Sequence, residues 1–366
     1  MGLFESVPNF SEGRRPDVVA AIAAGARAAH LLDMDADPDH NRAVLSVAGD
    51  RTHLTAAVTG AVTEAVAGID VRSHEGVHPR VGAADVVPIV PLGDTTLDDC
   101  RELALDIGHR LWAELKVPVY FYGHGTQTNL ADIRAGRAKI DLGGPAPHPT
   151  AGAVCVGARL PLIAFNVILP GLTPEAARAL ARSLRESAGG MRGVQALVFE
   201  LPGGRLQLSM NLFRVGETKP SDVISELERR GVALGDQELV GLCPAHAAPP
   251  VAAGRLLEGR LASAAALAAA ARCLRRGGTE LTALAGRLES EAGGLHSLGL
   301  DQDALLAGAE RSAALSRVLG AARMLDAELD GLLASAARGL RSALSATAET
   351  AHPQRVAALD RWLGAG

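Results

Sequence analysis

The segment RSHEGVHPRVGAADVVPIVPL gathers side chains that can move protons: His74, Glu75, His78 and Arg80, with Gly76 and Gly82 as backbone pivots. A glycine-hinged loop on a rigid scaffold is a common carrier of a catalytic group. Pro79 restricts His78 to extended backbone and so limits where its ring can point. A neutral imidazole titrates near working pH, which suits both accepting and returning a proton. Asp35 or Glu75 could orient that ring. A His-Pro pair in a loop also has a purely structural reading, because polar clusters mark function only statistically. Metal binding by His74 and His78 would need a helix between them, and Gly76 and Pro79 argue against one.

Three further polar patches accompany this loop. SVPNFSEGRRP carries Asn9, Ser11 and Glu12, which either form the lip of a site or cap the next helix through Ser11. DMDADPDHNR sets four aspartates beside His40, Asn41 and Arg42. Pro38 and the missing closing Glu exclude an EF-hand there. GAVCVGAR joins small residues, which let a flat ligand approach the backbone, to Arg159, a cation for a carboxylate. Phosphate loops, dinucleotide fingerprints, metal motifs and nucleophile elbows are absent from the sequence, so several large enzyme classes drop out.

The surrounding elements must hold these patches. Hydrophobic residues are 48% and charged ones 21% of the 366 residues, an ordinary globular balance. The net charge of −5 comes without any dense Lys/Arg run, so no nucleic-acid partner is expected. Cys100, Cys155, Cys243 and Cys273 are widely spaced and read as buried thiols of a reduced compartment. No apolar run is long enough for a membrane span, and the N-terminus lacks a signal-peptide core, so a cytoplasmic protein is expected.

Up to about residue 245, strand and helix signals alternate. LFESVPNF reads as a strand, RRPDVVAAIAAGARAA as a helix, and HLLDMDAD with NRAVLSVAG as two strands about an acidic turn. A helix (THLTAAVTGAVTEAVAGI), a strand (ADVVPIVPL), a helix (TTLDDCRELALDIGHRLWAEL) and a strand (VPVYFYG) follow. KIDLGGPAPHPTAG is a Pro/Gly-rich connection, after which the pattern restarts with AVCVGAR and LIAFNVIL. Thr173 should cap a helix before Pro174, VQALVFEL and GRLQLSMNL should pair across Pro202-Gly203-Gly204, and a helix and a strand at Glu238–Leu242 finish the pattern. The fold class is therefore α+β or α/β, with one subdomain over residues 1–140 and another over 150–248. Beyond about residue 252 the composition turns to Ala, Leu, Arg, Glu and Gly at helical spacing, and residues 252–366 read as an all-helical appendage.

Taken in order, VPNFSEG, LLDMDADPDHNRAV, HEGVHPRVGAADVVPIVPL, VPVYFYG, LADIRAG, GAVCVGARLPLIAFNVIL, LQLSMNL and ELVGLCP resemble the formiminotransferase (glutamate formimidoyltransferase) family over about residues 1–245. The resemblance implies two sandwich-like subdomains, each a sheet covered by helices, with a groove between them and a homodimeric assembly. It implies transfer of a formimino group from N-formimino-L-glutamate to tetrahydrofolate, the co-substrate, in histidine degradation, without a metal. His78, in the matching HPR, falls on the family's catalytic histidine, acting as general base and acid, and Asp35 on an acidic position of its active site. Gly152, Ala153, Val154, Gly157, Ala158 and Arg159 fall in the stretch tied to folate binding. Asn9, Arg42 and Arg80, with Arg159, are the candidate contacts for substrate carboxylates. The connection between the subdomains is shorter than in members fused to a cyclodeaminase, and the tail lacks the cyclodeaminase's glycine-rich GGGS-type segment. Transfer of formyl or another one-carbon unit, or a folate-binding role without catalysis, are the alternatives.

Overall fold

A proline cannot donate to a β-ladder, and Pro8 splits the expected first strand into β1 (Leu3–Ser6) and β2 (Asn9–Phe10). Both pieces lie antiparallel between β4 (Arg42–Gly49) and β5 (Ala84–Leu92). β3 (His30–Asp37) pairs with the outer side of β4 across the acidic turn. Beyond β5 the sheet becomes parallel: β7 (Val154–Ala158) pairs with β5, and β6 (Val119–Gly123) pairs with β7. The order across it is β3-β4-β1/β2-β5-β7-β6. This computed structural model describes residues 2–77, 79–252 and 255–261. His78 lies outside the described residues, as does the expected helical appendage from residue 262 onward.

Helices α1 (Pro16–Gly25), α2 (Arg51–Gly68) and α3 (Leu97–Leu115) cover one face of this sheet. Their starts are written in the sequence: Asp50 caps α2 by accepting the His53 N–H, and Thr96 with Asp99 forms a capping box for α3. Ile22, Leu54, Leu103 and Ile107 meet Phe10, Leu45, Val87 and Ile89 in the core between helices and sheet. The first two helices cross backbone to backbone, and a Cβ on Gly60 would overlap the Gly25 carbonyl oxygen. On the opposite face a short helix, α4 (Leu130–Arg134), brings Ile133 against Val86, Tyr122 and Cys155.

The second sheet is antiparallel throughout, in the order β11-β8-β10-β9, from β8 (Ile163–Ile168), β9 (Val194–Leu201), β10 (Arg205–Leu212) and β11 (Gln237–Val240). The hairpin turns at Pro202–Gly204 as expected, and Thr173 caps α5 (Pro174–Leu184). With α6 (Pro220–Arg229), α5 buries one face of the sheet through Ala177, Leu184, Val223 and Leu227 on Phe165, Val167, Leu208 and Met210. Strand alternation leaves Asn166, Gln207 and Glu238 on the other face. That face turns toward β3 and its turn: the His40 ring stands edge-on to Phe199, centroids 5.2 Å apart, and Arg205 pairs with Asp39.

Two expectations are corrected. AVCVGAR, read as the start of the second subdomain, is the β7 strand of the first sheet. Its residues are buried on both sides, as a central parallel strand requires. The boundary between the sheets therefore falls after Arg159 rather than near residue 145. The region read as appendage from residue 252 also contributes to the second subdomain. Leu256 bridges Cys243 in parallel, and the Cys243 N–H donates to the Arg255 carbonyl at 2.9 Å. Gly2–Leu257 thus form one compact unit.

Replacing Gly60 by alanine tests the helix crossing. The substitution favours helix by about 1 kcal/mol, yet the overlap should make the net change a loss of about 1–3 kcal/mol. A lowered midpoint in urea unfolding, with unchanged far-UV circular dichroism, is the expected reading.

Candidate active site

Register shifts where β2 meets β5: Asn9 lies opposite Val86 but Phe10 lies opposite Ala84. Asp85 is the residue left over, the extra member of a β-bulge, a device that re-aims side chains beside active sites. Ala84 packs into the helix-side core and Val86 into the cluster on the opposite face. Asp85 itself is 0% exposed. A buried carboxylate must be paired, and Asp85 is paired twice: Arg42 Nη1 at 2.9 Å and Arg134 Nη2 at 3.0 Å reach the same oxygen. The Val81 N–H donates to its second oxygen at 2.6 Å. Burial alone would raise this carboxyl, but the two guanidiniums and the Val81 hydrogen bond outweigh it and hold it below the usual range. Arg42 also donates from Nε to Asn9 Oδ1 at 3.1 Å. The cluster sets two cations against one carboxylate.

Val81 ends the loop that begins at His74, and both ends of that loop are tied down. At its downstream end Ser11 Oγ donates to the Gly82 carbonyl, and the Ala153 N–H donates to Val81 O. Gly152, at φ 70°, crosses there in a bridge to Gly82, and a Cβ on Gly82 would strike the Ala151 and Ala153 carbonyls. Only glycine fits such a backbone crossing. At the upstream end Asn41, itself at φ 49°, donates from Nδ2 to the Glu75 carbonyl while its Oδ1 accepts the Gly13 N–H. His74 Nε2 lies 3.0 Å from the Asn41 carbonyl, which makes Nε2 the protonated nitrogen and leaves Nδ1 the acceptor. Burial, followed by the Arg80 charge, holds His74 below its ordinary value, so the ring is neutral. Arg80 Nη2 closes the loop on the His74 carbonyl at 2.5 Å, spanning position 78.

Along the second sheet runs a groove of about 350 Å³, lined by Asp37 and Asp39 of the β3–β4 turn and by Asn166, Arg205, Gln207, Asp236 and Glu238 of the second subdomain. The β3–β4 turn forms its rim, and Gly76 packs against the His40 carbonyl and Asn41 on the same turn. Asp35 sits further along β3, ion-paired to Arg255 and 3.4 Å from the Gly241 N–H that donates to it. It therefore joins the two sheets' subdomains. Asp37 holds His40 Nδ1 at 2.5 Å. Burial opposes the charge on each, but their mutual hydrogen bond and attraction prevail, raising His40 and lowering Asp37.

The structure brings Asn9 and Arg42 together, sets Gly152, Ala153 and Arg80 around the loop, and puts Asp35 at the subdomain junction. Val154, Gly157 and Ala158 lie in β7, where Gly157 lets the Tyr122 backbone approach. Arg159 follows at its end, and burial lowers its guanidinium against the pull of Tyr122 and Glu5. Asp85, Arg134 and Arg255 are not singled out by the sequence, and Asn41 is named there only as a member of the acidic turn. A lone acid inside an apolar strand was the signal for Asp85; its partners lie too far along the chain to be named. Ser11 does not cap α1; the Glu12 carboxylate accepts the Arg14 and Arg15 N–H groups instead. Cys100, Cys155 and Cys243 are buried free thiols, and burial pushes Cys155 upward, away from reactivity.

Comparison with known proteins adds a second line of observation. Residues 3–159 match the N-terminal subdomain of the formiminotransferase domain. A glutamate formimidoyltransferase of Streptococcus pyogenes serotype M1 is 35% identical over 278 residues, 68% of this chain and 92% of that protein. One from Thermoplasma acidophilum is 37% identical over 278 residues, covering 69% of this chain and 91% of that protein. A formimidoyltransferase-cyclodeaminase of Rattus norvegicus is 36% identical over 275 residues, but only 51% of its length is matched.

Two measurements probe this geometry. Asp85→Asn removes a fully buried charge on which two partly exposed guanidiniums converge, and unfolding should show a loss of about 3–5 kcal/mol. The His40–Asp37 pair makes a pH-dependent contribution. His40, raised above its ordinary 6.5, stabilises the fold fully below that value and loses the effect as pH climbs through its raised pKa. Asp37, lowered from 3.8, contributes above that value and loses the effect only as pH falls through its lowered pKa. The stability gap between the parent and His40→Asn should therefore narrow as pH rises from 6.5 through the raised His40 pKa, read from paired urea titrations.

Proposed function

The chain belongs to the formiminotransferase family, and on that premise we propose that it is a glutamate formimidoyltransferase. It moves the formimino group of N-formimino-L-glutamate to N5 of tetrahydrofolate, releasing L-glutamate. The observation that carries this reading is the match to single-activity relatives over more than nine tenths of their length. The same reading makes the protein a homodimeric cytoplasmic enzyme of histidine breakdown that uses tetrahydrofolate as co-substrate and needs no metal.

The reaction exchanges one C–N bond for another at the formimino carbon. The incoming secondary amine loses a proton as it bonds, and the departing glutamate nitrogen must gain one to leave. His78 is the residue proposed to carry that proton, first as base and then as acid. Gly76 and Gly82 flank it, and the ties from Asn41, Arg80, Ser11 and Asp85 fix both ends of its loop. Restricting the loop in this way lowers the entropy lost in reaching the reactive geometry. Both substrates carry carboxylates. Arg42 and Arg134 converge on Asp85, which places two guanidiniums where a substrate carboxylate would be held, and Arg159 supplies a further cation beside the folate-binding stretch. Asp35, paired with Arg255, serves this scheme by holding the two sheets in register across the groove.

The test is a spectrophotometric assay with N-formimino-L-glutamate and tetrahydrofolate, following conversion of the product to its methenyl form. The parent should turn over, and His78→Ala should lose about 10²–10⁴-fold in kcat while keeping its far-UV spectrum. A parent that binds tetrahydrofolate without turnover overturns the assignment.

A further inference from the structure

The open face of the second sheet holds a polar group that the proton-transfer scheme leaves unused. Glu238 on β11 lies opposite Asn166 on β8, and Asn166 Nδ2 donates to Glu238 Oε2 at 2.9 Å. Gln207, from β10 on the other side of β8, turns its Nε2 toward the same oxygen at 3.5 Å. Two neutral amides thus position one carboxylate whose charge has no ion-pair partner within 4.0 Å among the described residues. Arg255 and His40 feel its charge, but the hydrogen bonds of the nearby cations go elsewhere: Arg255 Nη1 serves Asp35 and the Leu239 carbonyl, His40 Nδ1 serves Asp37, and Arg205 serves Asp39.

Gln207 supplies the second, independent observation. It lines the groove with 4% of its surface exposed, and its Oε1 is buried with no hydrogen-bond partner. Its amide orientation is fixed by Glu238, since the reverse would set two acceptors against each other. A buried acceptor left unpaired costs about 1–3 kcal/mol, so a donor arriving with a ligand recovers that loss. The carboxylates lining the groove, Asp37, Asp39, Asp236 and Glu238, outnumber its one guanidinium, Arg205. Among the described residues no three His, Cys, Asp or Glu side chains converge as a metal's ligands would.

We propose that Glu238 and Gln207 form a recognition site for an amidine edge, a carbon bearing two N–H groups that point the same way. A carboxylate receives such an edge through paired, charge-assisted hydrogen bonds, as it receives guanidinium, and Gln207 Oε1 offers a further acceptor beside it. Asn166 is the positioning residue that sets the Glu238 rotamer. The site deepens the formimidoyltransferase reading and rests on it for the identity of its ligand. Two groups there have this chemistry: the protonated formimino group of the donor, and the 2-amino edge of the reduced pterin. The excess of carboxylates in the groove favours the cationic one.

The experiment compares the parent with Glu238→Gln, a substitution of equal size on an exposed strand position. Each substrate is titrated alone by calorimetry, where no turnover occurs. Affinity for one substrate should fall at least tenfold while the other stays within twofold. A fall for N-formimino-L-glutamate identifies the amidinium as the ligand, and a fall for tetrahydrofolate identifies the pterin edge. Both affinities within twofold of the parent overturn the site, whatever the assay of turnover gives. Should the parent bind neither substrate, the family reading of the ligand fails, and the site is judged with formamidinium and 6,7-dimethyltetrahydropterin. Binding of either that Glu238→Gln abolishes supports the site; no binding of either overturns it.

Discussion

A carboxylate with no access to water governs the first subdomain. Asp85 can be ionised there only because Arg42, Arg134 and the Val81 N–H surround it. Each of these partners belongs to a different element. Arg42 opens β4, Arg134 ends α4, and Val81 closes the loop of the proposed catalytic histidine. Satisfying one charge therefore locates a strand, a helix and a loop at once. The β-bulge is what makes this geometry reachable, because an unbroken register would return Asp85 to the other side of the sheet. Replacing such a cluster with apolar residues often stabilises a protein; here the cluster also keeps two guanidiniums beside the place where anionic substrates are proposed to sit.

The second subdomain is joined on different terms. Its helices bury one face of the sheet in an ordinary apolar core, while the open face meets the first subdomain through polar and aromatic contacts: Asp35 with Arg255, Asp39 with Arg205, and His40 on Phe199. Contacts of this kind are individually modest. They hold a cleft open to solvent where an apolar seam would have closed it. Asp37 and Asp39 of the acidic turn thus form one wall of a groove.

Local rules made much of this fold legible. Strand alternation, the Pro-Gly-Gly hairpin and the cap at Thr173 follow from neighbouring residues, and the structure has them where the sequence puts them. The misreadings share a different cause. AVCVGAR follows a Pro/Gly-rich connection and looks like a fresh start, yet its partners in the sheet lie both before that connection and far back in the chain. Ser11 looked like a helix cap because it has the right type and place, but the Gly82 carbonyl took its hydroxyl and Glu12 took the helix N-terminus. The site behaved the same way. His74, Arg80 and Arg42 were visible as chemistry, whereas Asp85 and Arg134 gain meaning only from contacts 49 residues apart.

The place of β7 in the sheet has a consequence for how the chain is made. It enters between β5 and β6, two parallel neighbours synthesised well before it. Until residue 158 has left the ribosome, those two strands face an empty slot, each with an unpaired edge. The first subdomain therefore cannot complete its sheet piecemeal as synthesis proceeds. Its closure is a late, non-local event, and non-local strand pairing is slow. Because β7 leads directly through Arg159 into the second subdomain, the insertion that finishes one sheet is also the event that anchors the start of the next.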